Sequence, residues 1–512
     1  MSNARFARVG LLAGLLTSMG TVAVVAGPAQ AAGCNSPIRY APTTNAIYLT
    51  GGGSFTPTQI RTLCAVAPLR LVDAATGTWQ LDADLVIQGG SKLVLKGTAV
   101  GGDVNTLRLR SLASDKATEV QQILASYGTI DIDTVNITSW DPARNGPDIK
   151  ASRSATPLAT DRGRAFIRAL STFAADGVTP QNSTMNIRNS KLSYLGYYGG
   201  EAYGVSYKAR GCDRTHVAAC KTLRVTGEQI NNVFDRNYIG TYTWGANTMV
   251  FRGNTYSNNI SYGLDPHDVS SNLIIDKNRF VHNGNHGLIC SQLCDNLTIT
   301  DNIAENNGVR PTDAIEPVDD PHEGQIHGIM LHRGITNTRV TGNTVTGQTT
   351  GAGIAIFDSS GNTVSGNKLD NNRFGIRLTV GSANNTITGN TINRSTENAI
   401  LLFPGTDAAA YSTMSGRPTG NTFADNVISG TGSYGVRAVD SDGNVIRGGS
   451  MAGLTGALLF QRSKATMESI TLPARQPVTL QGTSAVRTSV TLGVPRDAVV
   501  VKADQYSTVA YK

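Results

Sequence analysis

Short runs of alternating apolar and polar residues, separated by glycine-rich turns, extend along most of the chain. Such alternation is typical of β-strands, because successive side chains of a strand point to opposite faces. Only two segments, Pro57–Val66 and Asp115–Ala125, look helical, and we expect the first to cap an open sheet end. In the N-terminal part the predicted strands include Leu85–Ile87, Leu93–Leu95, Leu107–Leu109, Ile130–Ile132 and Val135–Ile137.

A repeat organises the second half of the chain. Asparagines follow apolar-x-apolar pairs at spacings of 24, 24, 41, 24, 23 and 36 residues, at Asn254, Asn278, Asn302, Asn343, Asn367, Asn390 and Asn426. A glycine opens a second strand in each unit, at Gly263, Gly287, Gly328, Gly353, Gly375 and Gly435. Leucine-rich repeats have a similar period, but here both strands are rich in β-branched residues. The pattern therefore predicts an all-β solenoid, a single-stranded parallel β-helix with an N-terminal cap and a few inserted loops.

Alignment of the units on that glycine predicts which side chains leave the coil. The first and third residues after the glycine are apolar and form the core, so the second and fourth face solvent. Asp265 and His267 occupy these outward positions in one unit. The fourth position builds a row across the units: Lys208, Trp244, His267, Ser291, His332 and Phe357. Rings and imidazoles at strand spacing indicate a groove for an extended sugar chain rather than a merely decorated surface, and the insertions Val309–Gln325 and Pro404–Arg417 are expected to wall it.

The first 31 residues have the pattern of a secretory signal. Arg5 and Arg8 precede an apolar run from Val9 to Val25, and Ala29–Ala31 offers a small-residue cleavage site. A retained membrane anchor is the alternative. We expect a secreted protein with N-terminal cap and first coils over 32–165, central coils with the groove over 166–450, and C-terminal coils and a tail over 451–512. Six cysteines fit an oxidising exterior, and Cys212 with Cys220 is the expected disulfide because both lie in one inserted loop.

Charge narrows the choice of partner. The formal net charge is +7, and it falls to 7 − 2 = +5 without the two signal arginines. No dense Lys/Arg run or nucleic-acid motif occurs, so an anionic polysaccharide is favoured over DNA or RNA. We expect a monomer that needs no cofactor or metal. Acidic residues between 309 and 325 leave calcium binding open, without a recognisable ligand spacing.

The stretch Tyr262–Ser270 carries the candidate chemistry. It places Asp265, His267 and Asp268 within four residues of a chain in which only 16% of residues are charged. The alternative interpretation is that this stretch is a non-functional turn in which an aspartate and the histidine form a surface ion pair. An outward histidine that a carboxylate orients is suited to removing the C5 proton of a uronate, and we expect Asp265 to be that carboxylate. Reprotonation from the other face then gives the C5 epimer, whereas loss of the O4 substituent gives β-elimination.

Around these residues the sequence resembles the bacterial alginate (poly-mannuronate) C5-epimerases, whose signature is Tyr-Gly-Phe/Leu-Asp-Pro-His-Asp/Glu. The likeness extends to Ile137–Asp141 with Asn145–Pro147, to Tyr194–Tyr197, to Tyr203–Ser206 and to His286–Ile289. It is closest to the periplasmic branch, which lacks calcium-binding repeats. The resemblance implies a right-handed parallel β-helix with His267 as the base at C5. It also implies support from Asp265, a hydrogen-bonded cluster completed by Asp268, and Tyr262 or a water molecule on the opposite face.

The chain departs from that family at one position. The periplasmic branch has an arginine where this sequence has Gln292, so the cation that neutralises the sugar carboxylate must come from elsewhere. Lys208 and Arg333 are the first candidates and Arg377 is the next. With Trp244 and His332 these residues complete the predicted substrate-binding set.

Three functions therefore stand as hypotheses. The first is an isomerase that converts D-mannuronate to L-guluronate residues in a poly-uronate chain. The second is a uronan lyase on the same scaffold, and the third is a non-catalytic glycan-binding β-helix. The side chains are equally compatible with mannuronan, glucuronan or a mixed uronan.

Overall fold

The computed structural model describes residues 34–111, 120–149, 163–308 and 326–512. The predicted signal and the insertion at 309–325 lie outside the described residues. Within them the single α-helix is Pro57–Leu63, and Ile60 of this helix is buried in the main core. The predicted helix Asp115–Ala125 is wrong in its described part, because Gln122–Ser126 is a strand with Ile123 and Ala125 in the core.

The chain winds as a right-handed parallel β-helix, in which each coil contributes one strand to each of three long sheets. One coil shows the order: Leu264–His267 lies in sheet A, Ile274–Asp276 in sheet B and Arg279–Val281 in sheet C, before Leu288–Ser291 returns to sheet A. This confirms the predicted fold. In the described part of the chain, short 3₁₀ segments lie between strands at Thr98–Val100, Val217–Lys221 and Arg496–Ala498.

Sheet A carries the predicted outward row and has 18 strands within the described residues. They are Ile38–Ala41, Ala46–Leu49, Asp84–Ile87, Gln122–Ser126, Phe166–Phe173, Pro180–Gln181, Gly204–Ala209, Ile239–Trp244, Leu264–His267, Leu288–Ser291, Ile329–His332, Ala352–Phe357, Phe374–Thr379, Asn398–Phe403, Tyr434–Val439, Leu458–Gln461, Gln476–Gln481 and Val499–Ala503.

Sheets B and C complete the coils, with 16 and 15 strands in the described part of the chain. The strands of sheet B are Ser54–Phe55, Lys92–Lys96, Thr129–Asp133, Ser183–Arg188, Val225–Ile230, Val250–Arg252, Ile274–Asp276, Thr298–Thr300, Arg339–Thr341, Thr363–Ser365, Thr386–Thr388, Thr422–Ala424, Asn444–Arg447, Lys464–Glu468, Thr488–Gly493 and Ser507–Tyr511. Those of sheet C are Leu69–Asp73, Thr78–Leu81, Thr106–Arg110, Asn136–Asp141, Gly146–Pro147, Lys191–Ser193, Val233–Asp235, Thr255–Ser257, Arg279–Val281, Ile303–Glu305, Thr344–Thr346, Lys368–Asp370, Thr391–Ser395, Val427–Thr431 and Ser450–Leu454.

Buried asparagines line the corners of the coil as hydrogen-bonded ladders. The backbone N–H of Asn254 donates to the side-chain oxygen of Asn278 at 3.0 Å, and Asn278 repeats the contact with Asn302 at 2.9 Å. Two further ladders, which the sequence analysis did not identify, occupy other corners: Asn237, Asn259, Asn283 and Asn307 in one, and Asn362, Asn385, Asn421 and Asn444 in the other. They satisfy backbone groups that a buried turn would otherwise leave unpaired.

Candidate active site

The strand Leu264–His267 lies in the middle of the predicted outward row. The Cα register of sheet A aligns that row without a break through Lys208, Trp244, His267, Ser291, His332 and Phe357. The predicted alignment of these six positions is therefore confirmed.

The second residue after the glycine is buried in the units around the site, although we expected it to face solvent. Asp265, Ile289 and Met330 expose only 4%, 5% and 8% of their surfaces. Ile289 and Met330 belong to an apolar cluster that is separate from the main core, together with Ala355. The side chains do leave the coil, but coils that stack about 4.8 Å apart bring their outward side chains into mutual contact.

The turn that follows the strand delivers a carboxylate to His267. Asp268 and Val269 have φ angles of 29° and 52°, in the left-handed region that a β-branched residue rarely occupies. Oδ2 of Asp268 consequently lies 2.7 Å from Nδ1 of His267. The residue that orients the imidazole is therefore Asp268. The alternation of side chains had predicted Asp265, and that prediction is wrong.

This contact assigns the proton positions on His267. A carboxylate at Nδ1 holds the N–H on that nitrogen and leaves Nε2 as the basic atom. Burial alone would lower the pKa of His267, but the hydrogen bond to Asp268 and the charges of Asp265, Asp268 and Glu201 outweigh it and raise the pKa above its ordinary value of 6.5. The imidazole is thus a stronger base than a free histidine.

Asp265 occupies the floor of the site. Its Oδ1 has no hydrogen-bond partner among the described residues, and the residue lies in register with Tyr242 of the preceding coil. Burial raises the pKa of Asp265 to about 7, against the opposing charge of His267. Near neutral pH this carboxyl group therefore exchanges between an acid that can donate a hydrogen bond and an anion.

Tyr262 lies two residues before the start of the strand Leu264–His267. Its ring stacks on that of His286 at a centroid distance of 5.5 Å, and His286 stacks on His327 at 5.2 Å. The backbone N–H of His327 donates to Nδ1 of His286, and that of Ala352 donates to Nδ1 of His327, each at 2.8 Å. The two imidazoles therefore serve as acceptors in the ladder of this turn, and they support the phenol from one side.

The strand separates Tyr262 from His267. Five residues span at most roughly 17 Å between the two Cα atoms, and the two side chains take up part of that distance. Tyr262 and His267 thus flank the buried Asp265 along the chain, one before it and one after it.

Trp244 supports the site rather than offering a free stacking face. Its ring lies 4.3 Å from Nζ of Lys208 in the coil before it and 6.0 Å from the ring of His267 in the coil after it. Its indole N–H donates to the carbonyl oxygen of Cys212 at 2.7 Å. The predicted stacking of a sugar on Trp244 is thus not available on either of these faces.

The predicted cations are already engaged. Lys208 forms an ion pair with Glu201, and Arg333 forms one with Asp407 at 3.1 Å. Arg377 is 6% exposed, lies over Phe403, and has a pKa lowered to about 10 because it is buried. His332 is half-buried against Phe357, with its ring centroid 4.8 Å away.

Gln292 accepts a hydrogen bond from Nη1 of Arg214 at 2.7 Å. Sequence reasoning missed Arg214, because it lies in an irregular loop outside the repeat. It also missed Tyr242 as a site residue, although the same alternation placed that side chain beside Asp265. The signal that could have found Tyr242 was its position two residues after Gly240, on the outward face.

The six cysteines form two disulfides and leave two free thiols. Cys212–Cys220 is a disulfide, as predicted, and Cys34–Cys64 is a second one, which the sequence analysis did not assign. Cys290 and Cys294 are buried free thiols behind the site.

Within the described residues no group of three His, Cys, Asp or Glu side chains is arranged to hold a metal ion. The acidic residues for which calcium binding was left open lie at 309–325, outside the described ranges. No helix in the described part of the chain is long and apolar enough to cross a membrane.

Known proteins are similar to this chain in sequence and in fold. Residues 179–401 match a family model described as periplasmic copper-binding protein (NosD). The mannuronan C5-epimerase AlgG of Azotobacter vinelandii is 27% identical over 67% of this chain and 55% of its own length. A mannuronan C5-epimerase of Pseudomonas syringae pv. tomato is 30% identical over 52% of this chain and 42% of its own length. The chain thus spans about half the length of these relatives.

The fold agrees with the sequence matches. The crystal structure of the periplasmic alginate epimerase AlgG superposes with a TM-score of 0.59 and 19% identity, over 91% of this chain and 85% of that one. The predicted resemblance is therefore confirmed: the chain is similar in sequence to the alginate C5-epimerases, and it has the same β-helix fold as the periplasmic AlgG.

Proposed function

We propose that this protein is a secreted C5-epimerase that converts D-mannuronate to L-guluronate residues within a poly-uronate chain. The observation that carries the proposal is the Asp268–His267 pair, in which the carboxylate at Nδ1 leaves Nε2 as the basic atom. The names and activities of the sequence relatives support the choice of substrate. The two disulfides support an oxidising exterior.

The reaction begins at Nε2 of His267, which takes the proton from C5 of the bound uronate. The C5–H bond breaks, and its electron pair passes into the bond between C5 and the carboxylate carbon. Asp268 stabilises the resulting imidazolium through Nδ1. Asp265 in its protonated form is placed to donate a hydrogen bond toward the sugar, at a position where its unpaired oxygen has no protein partner.

The second step delivers a proton to the opposite face of C5. The hydroxyl group of Tyr262, or a water molecule beside it, supplies this proton and forms the new C5–H bond. The phenolate then regains a proton from solvent, and His267 releases the one it took. The polymer keeps its composition, and only the configuration at C5 is inverted.

Epimerase and lyase differ in the second step, because a proton delivered to the face of C5 opposite the base inverts the configuration there. β-Elimination uses the same base, but the electron pair from C5 then forms a double bond between C4 and C5. The C4–O4 bond breaks, and O4 leaves with its electron pair and takes up a proton. The two outcomes differ in whether the product absorbs ultraviolet light.

The test is incubation of the secreted protein with polymannuronate, with glucuronan and with a mixed uronan in deuterated water, followed by proton NMR. We expect deuterium at C5 together with new guluronate signals from polymannuronate. Ultraviolet absorbance without inversion would identify a lyase. A folded protein that exchanges no C5 hydrogen in any of the three polymers would leave only glycan binding.

A further inference from the structure

The proposed reaction needs a cation beside the sugar carboxylate, because the negative charge of the intermediate develops there. We infer that Arg214, on the loop closed by Cys212–Cys220, is the cation that binds this carboxylate. The inference rests on the proposed function and assigns a substrate-binding role to a residue outside the repeat.

The loop is attached to the coil that precedes His267. The carbonyl oxygen of Cys212 accepts the indole N–H of Trp244, and Sγ of Cys212 packs on Gly245. A Cβ at residue 245 would lie 2.7 Å from that sulfur, so glycine leaves the space in which the loop sits. The start of the loop is therefore held beside the indole ring that stacks on His267.

Arg214 reaches the coil that follows His267. Its Nη1 donates to Oε1 of Gln292, and the carbonyl oxygen of Gln292 accepts the N–H of Val269 at 3.0 Å. The N–H of Gly245 likewise donates to the carbonyl oxygen of Asp268. Gly245, Asp268 and Gln292 therefore occupy equivalent turn positions in three successive coils. Residues 212–214 bridge two coil steps, about 10 Å, and cross over the coil that carries the His267–Asp268 pair.

The guanidinium group keeps most of its donors for a ligand. Arginine has five N–H donors, and the contact with Gln292 uses one of them. Arg214 is exposed, and its side-chain partner among the described residues is the neutral amide of Gln292 and not a carboxylate. Asp213 beside it accepts instead from the backbone N–H groups of Thr215 and His216.

The other cations fit this role less well. Lys208 and Arg333 are paired with Glu201 and Asp407, so each would have to leave a carboxylate of the protein to bind one of the sugar. Arg377 lies four coils from Asp265 in the register of sheet A, roughly 19 Å along the axis. Arg214 alone among these cations combines a place over the reacting coil with an uncompensated charge.

The experiment compares Arg214→Ala with Arg224→Ala, an exposed arginine just after the loop whose side chain donates to the backbone carbonyl oxygen of Lys221. We expect Arg214→Ala to lower kcat/KM for polymannuronate about 10²- to 10³-fold. The control variant should stay within about twofold of the wild type. Both proteins should melt at the wild-type temperature.

A substrate change separates direct contact from a structural role. Oligomers with methyl-esterified carboxyl groups lack the charge that Arg214 would bind, so the ratio of wild-type to Arg214→Ala rates should fall toward one. The double variant Arg214→Ala with Gln292→Arg should have a kcat/KM at least about tenfold higher than that of Arg214→Ala, because it supplies a guanidinium group at the neighbouring position.

Two failures are distinguishable. An active wild type whose Arg214→Ala variant turns over polymannuronate at the same rate would overturn the assignment of Arg214. A wild type that exchanges no C5 hydrogen, yet binds uronate oligomers more tightly than Arg214→Ala does, would overturn the epimerase and retain Arg214 as the carboxylate-binding residue.

Discussion

His267 and Asp268 are neighbours in the sequence, and in an extended strand neighbouring side chains point apart. Their side chains meet because the chain enters a left-handed turn at Asp268, which rotates the carboxylate back toward Nδ1. The cost of holding Val269 at a φ of 52° is of the order of 1–3 kcal/mol. Such strain persists where the surrounding coils fix the turn, and here it fixes the tautomer of the candidate base.

We predict that Asp268→Asn removes most of the activity. The variant loses the negative charge that raises the pKa of His267 and stabilises its imidazolium, so C5 exchange should fall about 10²- to 10⁴-fold. The acid limb of the rate profile should move to lower pH, because the histidine then loses its proton more readily. Deuterium exchange at C5, measured from pH 5 to pH 9, checks both effects.

The control for this variant is Asp301→Asn, at an exposed turn whose φ of 53° asparagine also tolerates. It should leave the rate unchanged. A fully active Asp268→Asn would show that the 2.7 Å contact has no part in the chemistry.

The raised pKa of Asp265 leads us to expect that the stability of the protein decreases as the pH rises. Its pKa is about 7 in the folded protein and has an ordinary value of 3.8, so the folded state keeps a proton that the unfolded state has lost between these values. Stability should therefore decrease as pH rises from about 4 to about 7, and it should remain at the lower level above that range. Asp265→Asn should raise the melting temperature at pH 8 but not at pH 4. An equal change at both pH values would show that the carboxyl group is not held protonated by burial.

At the scale of elements, the site combines a regular strand with an irregular loop. Sheet A sets the spacing of Trp244, His267 and Ser291, because each occupies the same position in successive coils. The loop from Cys212 to Cys220 obeys no repeat and is held by its disulfide and by the indole of Trp244. Pro404–Arg417 is held in another way, since Asp358 accepts the backbone N–H groups of Ala410, Tyr411 and Ser412.

Reduction of the loop disulfide should lower activity without unfolding the β-helix. Opening the ring frees residues 213–219 to move, so Arg214 spends less time over Gln292, and we expect a loss of about tenfold in kcat/KM. Cys220→Ser should show the same loss in the absence of reductant and no further loss in its presence. If Cys220→Ser were still as sensitive to reductant as the wild type, the effect would have to come from Cys34–Cys64.

At the scale of the whole molecule, one continuous apolar core runs from Cys34 to Val499, and the asparagine ladders run along its corners. Each coil contacts mainly its two neighbours, so stability is close to a sum of coil and interface contributions. The candidate site draws on at least three consecutive coils. It therefore depends on the stacking of those coils more than on any one of them.

Asn278→Ala should test the ladder beside the site. The change removes the acceptor for the backbone N–H of Asn254 and the donor to the carbonyl oxygen of Phe251. We expect a loss of about 1–3 kcal/mol in the free energy of unfolding, the usual cost of leaving buried partners unpaired. Chemical denaturation measures it. Asn393→Ala, on the outer face of sheet C, should change this free energy by less than about 0.5 kcal/mol.

The sequence by itself determined the periodic features: the β-helix, the core positions, the asparagine ladder and the outward row through His267. These features follow from the local alternation of apolar and polar residues and from a repeat of about 24 residues, which recurs through the second half of the chain. Only the tertiary structure decided which carboxylate binds His267, which cations are already paired and which arginine reaches Gln292. Those contacts depend on left-handed turns and on a disulfide loop, where side-chain direction no longer follows alternation, and on neighbours that stacking brings from distant parts of the chain.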